Sequence, residues 1–320
     1  MVNSPRPVHR RRYSDEFKKH FKSHEARLET QEDLKKIRRR EEIEEDERRL
    51  RRRFRHIKLF KKSANGTLFE ALDITTDENV ILKEIKKTEK RYESFPGRVG
   101  CPEEIHFHYR AYEAAPDRIV KPIEWFERRS TFILVLERPV DFYDLHDVCE
   151  KYAPIDEISA FKVTQQITAA CLALKKARIC HRDIKPENTL MNLKTLEIKI
   201  LDFGSAADWD EIQSGGVIPI GTLVYMPPEW FREKELKPEE STVFTIGAVL
   251  YILLTGEWDY KEGVLNRDSQ SEEHLSEGSL RAIKRALTCI SRNRITLFCF
   301  NKLHGTVIEN LTKDGLSYLP

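Results

Sequence analysis

The sequence has no C-x-x-C pair, no apolar leader and no apolar run long enough to cross a bilayer. Its six cysteines are scattered over 320 residues, so we expect reduced thiols in a cytosolic or nuclear compartment. The first residues are basic and polar, which argues against a secretory signal. The longest apolar run, near Val243–Leu254, is typical of a buried core helix. These absences predict a cytoplasmic protein without a membrane span, and they leave a nuclear location open.

Charge is distributed unevenly along the chain. Residues 1–55 hold 19 Lys+Arg and 12 Asp+Glu, a net charge of +7, whereas the remainder holds 36 and 41, a net charge of −5. An acidic remainder argues against nucleic-acid binding and is compatible with basic protein substrates. We see no internal repeat, and we expect a monomer.

Residues 1–53 are dominated by charged side chains, with few apolar residues between them. Many of these charges are four positions apart, a spacing that supports a solvated helix. We therefore expect a basic N-terminal arm that is either disordered or a single helix. Its arginine runs leave a nuclear-targeting role as an alternative.

The composition of the sequence changes at Phe54. Short segments rich in β-branched and aromatic residues come first, and mainly helical patterns follow after about residue 144. This order predicts an α+β fold of two lobes within 54–320: a small mainly-β N-lobe with one helix over 54–138, and a larger mainly-α C-lobe over 139–320. The clearest predicted strands are Thr67–Ile74, Val80–Ile85 and Thr131–Leu136, and the clearest predicted helices are Pro102–Ala115, Asp156–Ala177 and Thr242–Leu254.

The most specific pattern is a pair of strings in the second lobe, H-R-D-I-K-P-E-N at 181–188 and D-F-G at 202–204. Together they resemble the protein-kinase signature, whose strings position the groups for phosphoryl transfer. The resemblance implies that Asp183 accepts the proton of a substrate hydroxyl and that Lys185 steadies the transferring phosphate. It also implies that Asn188 and Asp202 hold Mg²⁺. Lys185 at this place in the string is typical of Ser/Thr kinases.

Upstream, the run Val80-Ile81-Leu82-Lys83 resembles the kinase motif V-A-I-K. The resemblance implies that Lys83 binds the α- and β-phosphates of ATP and pairs with a glutamate on the N-lobe helix. We expect Glu104 to be that partner, with Glu103 as the alternative.

Downstream, the run Met226-Pro227-Pro228-Glu229 stands where kinases carry A-P-E. There the glutamate resembles one that forms a buried ion pair with a late arginine, for which Arg294 is the candidate. Thr222 resembles the threonine of the activation segment that hydrogen-bonds the catalytic Asp and Lys.

Within the kinases, the chain resembles the Pim family in three runs: 125–139, which contains a Glu-Arg-Pro, 227–230 and 242–247. The resemblance implies that the Glu137 carbonyl and apolar walls hold adenine, because Pro139 has no backbone N–H to offer. Leu136 would be the gatekeeper. The expected ATP pocket comprises Phe60, Gly66, Leu68, Ile81, Lys83, Glu104, Leu136, Glu137 and Leu190.

The Pim resemblance also implies a substrate groove that favours arginines before the acceptor. The matching residues are Asp144, Asp147, Glu187 and Thr222, and three carboxylates would attract guanidinium groups. The expected partners are therefore protein substrates with basic residues near the acceptor. Ser14, which follows Arg10-Arg11-Arg12-Tyr13, is a candidate autophosphorylation site.

Three features depart from the kinase pattern. The slots of the Gly-rich loop fall at Lys61, Ser63 and Gly66, so only the third slot allows the close backbone approach that glycine gives. A lysine at the first slot could compensate in part by its charge. Ile81 replaces an alanine that lies above adenine, and Gly256–Tyr260 lacks the usual Pro-Phe.

Three functions therefore compete. The first is an active Ser/Thr kinase that uses ATP and Mg²⁺. The second is a pseudokinase, a binding or scaffold module, because of the degenerate loop and Ile81. The third is an interaction protein acting through the charged arm. Since the activation segment Gly204–Met226 contains no arginine cluster to receive a phosphate, the first function predicts constitutive activity.

Overall fold

The computed structural model describes residues 15–63, 66–87, 92–95, 98–215, 221–234, 237–267 and 269–313. Ser14 lies outside these residues. The first group of elements, in chain order, is α1 (Asp15–Arg53), β1 (Phe54–Ser63), β2 (Gly66–Asp73), β3 (Glu78–Lys86), β4 (Tyr92–Phe95), β5 (Arg98–Pro102), α2 (Glu103–Ala114), β6 (Pro122–Glu127) and β7 (Thr131–Glu137).

The second group is mainly helical. Its helices are α3 (Leu145–Tyr152), α4 (Glu157–Lys176), α5 (Trp209–Gln213), α6 (Pro228–Glu233), α7 (Pro238–Thr255), α8 (Ser269–Glu272), α9 (Glu277–Ala286) and α10 (Leu297–Lys313). Its short strands are β8 (Phe142–Asp144), β9 (Ile179–Cys180), β10 (Thr189–Asn192), β11 (Ile198–Ile200), β12 (Ala207–Asp208), β13 (Tyr260–Lys261) and β14 (Val264–Leu265). The predicted two-lobed α+β fold is confirmed.

The N-lobe is built on a five-stranded antiparallel sheet in the order β1-β2-β3-β7-β6. Side chains alternate between its faces, as strand geometry requires. One face buries Leu82 and Ile133 beneath α1, and the other buries Phe132 and Leu134 with Ile105 of α2. Because both faces are covered, the interior strand β7 is apolar on both sides, which explains its unbroken run of hydrophobic residues.

Helix α1 lies against the edge strand β6 through its C-terminal part. Arg53 donates to Asp73 Oδ2 and to Glu124 Oε2, both at 2.6 Å. Asp46 is buried and accepts the backbone N–H of Glu127 at 2.9 Å. Leu50 adds an apolar contact beneath these charges. We call this contact, from Arg39 to Arg53 on α1, the α1 seam.

The C-lobe core surrounds helix α7. Fourteen of its eighteen residues are buried, because α4 and other helices pack around it, and this burial accounts for its apolar sequence on every side. No helix in the described part of the chain is both long and apolar enough to cross a membrane. The same core cluster includes Ile184, Met191 and Ile198, so it fixes the strand and turn segments that follow α4.

Candidate active site

The segment between β9 and β10 brings Asp183 and Asn188 together. A 3₁₀ turn, Pro186–Asn188, begins with a proline whose fixed φ suits a first helical position. The turn directs the Asn188 side-chain amide back to Asp183, where it donates to the carbonyl at 2.8 Å and to Oδ2 at 2.9 Å. Asp183 is buried, and this contact fixes one oxygen of its carboxylate.

The other side of the Asp183 carboxylate is held by the activation segment. Thr222 donates to Oδ1 twice, from its backbone N–H at 3.0 Å and from its hydroxyl at 2.8 Å. Lys185 lies 2.9 Å from Oδ2 and also donates to the Thr222 hydroxyl at 2.5 Å. Hydrogen bonds to both oxygens orient the carboxylate, so a hydroxyl that approached Asp183 would meet a fixed acceptor.

Lys83 on β3 joins the two lobes through a pair of carboxylates. Its ammonium lies 2.5 Å from Glu104 Oε1 on α2 and 2.8 Å from Asp202 Oδ1. Burial lowers the pKa of Lys83, but the charges of Glu104 and Asp202 outweigh burial and raise it above its ordinary value. Lys83 therefore stays charged. Burial lowers the pKa of Arg182, and the charge of Glu103, the alternative partner for Lys83, offsets this in part.

Phe203 follows Asp202 and is almost fully buried between two histidine rings. The centroids of the His108 and His181 rings each lie 4.9 Å from the Phe203 ring. Burial lowers the pKa of both histidines, that of His108 to about 4, so both rings are neutral near neutral pH. His108 Nε2 lies 2.7 Å from the Val120 carbonyl, which connects α2 to the segment before β6. His108 was not identified from the sequence, although it lies one helical turn after Glu104.

Three of the residues assigned to the nucleotide pocket, Ile81, Leu136 and Leu190, belong to one apolar cluster. Ile81 pairs with Leu136 across β3 and β7, and Leu190 packs against the same apolar cluster. Leu201, just before the D-F-G string, also packs there and was missed in the sequence. Glu137 begins the link between the lobes, and its side chain accepts from the Lys121 N–H at 2.9 Å and from Lys199 at 2.7 Å.

The other three assigned pocket residues lie on β1 and β2, where the Gly-rich loop was expected. Phe60 is about half exposed, and Leu68 pairs with Lys83 on the neighbouring strand. Gly66 has φ +148°, and a Cβ there would lie 2.5 Å from the Glu84 carbonyl oxygen. Only glycine fits this third slot, because any side chain would collide with the β3 backbone.

Lys61, at the first slot of the loop, does not point a free charge toward the cleft. Its ammonium lies 2.8 Å from Oδ2 of Asp144, at the end of β8. The expectation that Lys61 compensates in part for the missing glycine by its charge stays a prediction, because this contact does not test nucleotide binding. Asp144 is instead shared between Lys61 and the N-terminus of α3, where its Oδ1 accepts the His146 N–H at 3.0 Å. Asp147 is exposed on the first turn of α3, and Glu187 lies in the turn after Asp183.

Glu229 and Arg294 meet in the C-lobe interior. Arg294 donates from both terminal nitrogens to the two Glu229 oxygens, at 2.7 and 2.9 Å. The same two nitrogens also donate to the carbonyls of Glu240 and Thr288. The pair thus fastens the end of the activation segment to the segments around α7 and α9.

Two aromatic residues occupy the place where the usual Pro-Phe is absent. Trp258 stacks on Tyr225 and donates from its indole N–H to the Val224 carbonyl at 2.7 Å. Tyr260 donates its hydroxyl to the Met226 carbonyl at 2.6 Å. These bonds hold the segment after Thr222. Trp258 and Tyr260 thus provide contacts in the region where the usual Pro-Phe is missing. The sequence offered only the aromatic residues themselves as a signal.

Arg182 contacts the first part of the activation segment through backbone carbonyls. Its Nε donates to the Ser205 carbonyl at 2.5 Å, and its Nη2 lies 3.5 Å from the Ala206 carbonyl. Strands β9 and β12 pair beside this contact. These contacts join the segment after β9 to the beginning of the activation segment.

Asn188 and Asp202 supply an amide oxygen and a carboxylate, which are hard oxygen ligands that suit Mg²⁺. Within the described residues, no three His, Cys, Asp or Glu side chains cluster in a way that suits a metal ion. A protein contribution of one or two oxygens fits Mg²⁺, which takes its remaining ligands from phosphates and water.

Comparisons with known proteins agree with this geometry. The family model "Protein kinase domain" matches residues 62–297. The serine/threonine-protein kinase pim-2 of Danio rerio is 28% identical over 205 residues, 62% of this chain and 66% of that protein. The serine/threonine-protein kinase prk-2 of Caenorhabditis elegans is 30% identical over 143 residues, 45% of this chain and 32% of that protein. PSK2 of Saccharomyces cerevisiae, another serine/threonine-protein kinase, is 32% identical over 198 residues, 58% and 17% of the two chains. The chain therefore spans less than two thirds of the length of each relative.

Proposed function

Because the chain belongs to the protein kinase domain family, we propose that it transfers the γ-phosphoryl group of ATP to Ser and Thr hydroxyls of proteins. The observation that carries this proposal is the Asp183 carboxylate, oriented by Asn188 and Thr222 with Lys185 beside it. Lys83 stands opposite, charged and paired with Glu104. A pseudokinase would have no need of this complete set.

In the proposed reaction, the substrate hydroxyl oxygen attacks the γ-phosphorus. The new O–P bond forms as the bond to the β,γ-bridging oxygen breaks, ADP leaves, and the hydroxyl proton passes to Asp183. Lys83 would bind the α- and β-phosphates, and Lys185 would balance charge on the transferring group. Mg²⁺, held by Asn188 and Asp202, would neutralise phosphate charge when bound. The protein mainly positions charges, as phosphoryl transfer requires.

We also propose that the substrates carry arginines before the acceptor. Three carboxylates lie close to the Lys61 ammonium, because the charges of Asp144, Asp147 and Glu187 all raise its pKa. Carboxylates grouped beside a peptide site favour guanidinium groups through charge-assisted hydrogen bonds. A positional peptide array tests this, and an array without any arginine preference would refute the proposed substrate class.

A further part of the proposal is activity without phosphorylation of the activation segment. Its support is the sequence of the activation segment, Gly204–Met226, which contains no arginine cluster to receive a phosphate. Treatment with a phosphatase should leave transfer unchanged. Loss of transfer after that treatment would contradict this part alone.

The alternative, a pseudokinase that binds without transfer, draws on Lys61 and Ser63 at two slots of the Gly-rich loop and on Ile81 in the pocket. The deciding experiment is transfer of radiolabelled γ-phosphate from Mg-ATP to an Arg-rich serine peptide. Asp183→Asn is the control, because it keeps the shape of the side chain and removes the proton acceptor. Transfer that disappears in Asp183→Asn supports the kinase, and absence of transfer by the folded wild-type protein supports the alternative.

A further inference from the structure

Lys61 on β1 connects the N-lobe to Asp144 of the C-lobe. It lies on β1, immediately after an irregularity in the pairing of β1 with β2, and its strand partner is Leu68. Its side chain is about half exposed and extends to Asp144 on the C-lobe side, where the N–O distance is 2.8 Å. A contact of this kind depends on the register of β1, because a shift by one residue would turn the ammonium to the other face of the strand.

Asp144 is held more firmly than its partner. Only 17% of its side chain is exposed, against 49% for Lys61. Its Oδ1 caps helix α3 by accepting the His146 N–H, so its Oδ2 is presented in a fixed position. The position of the Asp144 carboxylate is therefore set by helix α3 and not by Lys61, so it would stay in place if Lys61 were removed.

The surroundings of Lys61 carry more negative charge than one ammonium can balance. Burial lowers the pKa of Lys61, but the hydrogen bond to Asp144 and the charges of Asp144, Asp147 and Glu187 raise it above its ordinary value. Glu187 is partly buried and has a side-chain hydrogen bond with Tyr225. Three carboxylates around one ammonium leave a net negative charge, so this site is suited to a second cation.

We propose that Lys61 is a specificity-determining residue, whose ammonium occupies Asp144 in place of a substrate guanidinium and leaves Asp147 and Glu187 to bind a substrate arginine. This inference rests on the proposed function, because it requires a basic peptide in the groove. In a loop with glycine at this slot, all three carboxylates would be open to the substrate. Lys61, a residue of the chain's own Gly-rich loop, thus competes with a substrate arginine for Asp144.

The test compares Lys61→Met with wild type in peptide binding. The probe is a fluorescein-labelled, Arg-rich peptide with alanine at the acceptor, together with analogues in which one arginine at a time is methionine. Affinities are measured by fluorescence anisotropy on the full chain at one ionic strength. Lys61→Met should increase the preference for at least one arginine over methionine by about 2- to 5-fold, the range that a half-exposed ion pair provides.

Two further variants separate a specific contact from general charge. Lys62→Met removes the same charge from the next residue of β1, which points to the opposite face, and it should leave the arginine preference at the wild-type value. In an Asp144→Asn background, where asparagine can still cap α3, Lys61→Met should no longer raise the preference.

The inference is overturned if Lys61→Met leaves the arginine preference unchanged or if Lys62→Met raises it as much. It is also overturned if Lys61→Met raises the KM for ATP and alters nothing in peptide binding, because Lys61 would then serve the nucleotide. Since the probe has no acceptor hydroxyl, its binding is measured even where no phosphate is transferred. Failure of the proposed function is thereby distinguishable from failure of this inference.

Discussion

Replacement of Arg294 by alanine should be among the most destabilising single changes in the C-lobe. The side chains of Arg294 and Glu229 are 0% and 4% exposed, and two hydrogen bonds join them. Arg294→Ala would leave the Glu229 carboxylate buried without its partner, which costs about 3–5 kcal/mol. It would also remove the guanidinium from the Phe244 ring, whose centroid lies 5.1 Å away. Since domains are stable by only about 5–15 kcal/mol, this is a large fraction of the total.

The assay is urea unfolding followed by tryptophan fluorescence, with the midpoint and slope fitted for each variant. Lys194→Ala is the matched control, because the Lys194–Asp141 pair is long, at 3.5 Å, and both side chains are mostly exposed. Arg294→Lys, which keeps the charge but not the fork geometry, should fall between wild type and Arg294→Ala. The double variant Glu229→Ala/Arg294→Ala should cost less than the sum of the single variants. An Arg294→Ala midpoint no lower than that of Lys194→Ala would refute this reasoning.

Three further outcomes are expected. Lys83→Met should lower the rate of phosphate transfer about 10²- to 10³-fold, because it removes a fixed charge from the nucleotide site, and rates within a factor of two of wild type would exclude that role. Trp258→Phe should raise the KM for the peptide about 2- to 10-fold, the effect of one lost hydrogen bond to Val224, while the KM for ATP stays constant in steady-state kinetics. His108 is neutral when folded, with its pKa lowered to about 4 against 6.5 when unfolded, so the unfolded state takes up an extra proton and stability falls as the pH drops through this window. In thermal unfolding at about pH 7 and about pH 5, His108→Leu should lose less stability on acidification than wild type does, by on the order of 2 kcal/mol, and equal losses would rule out this contribution.

Much of the fold could be predicted because the governing patterns are local. The strands predicted at Val80–Ile85 and Thr131–Leu136 correspond to β3 and β7, whose apolar runs follow from burial on both faces. The helix predicted at Asp156–Ala177 corresponds to α4, and Asp156 caps it by accepting the Ser159 N–H. Such elements depend on neighbouring residues, so a single sequence suffices to locate them.

In the candidate site, too, contacts between neighbouring residues could be predicted, and contacts between distant segments could not. Asp183 and Asn188 are five residues apart, and their contact follows from one short turn. The choice between Glu103 and Glu104 stayed open in the sequence, because it depends on how α2 is rotated against β3. The Lys61–Asp144 contact joins positions 83 residues apart, and it depends on strand register and side-chain reach that no local pattern encodes.

The α1 seam has a mechanical consequence. The exposed fraction of the side chain is 42% at Arg39 and 43% at Arg49, and it is 22% at Arg53, where the chain passes directly into β1. The most buried of these three arginines is therefore at the end where α1 continues directly into the sheet. Because salt screens exposed charge pairs much more than buried ones, we expect rising ionic strength to weaken the Arg39 and Arg49 pairs before the Arg53–Asp73 pair. The Arg53 end of α1 would then stay attached to the sheet under conditions that weaken the contacts nearer Arg39.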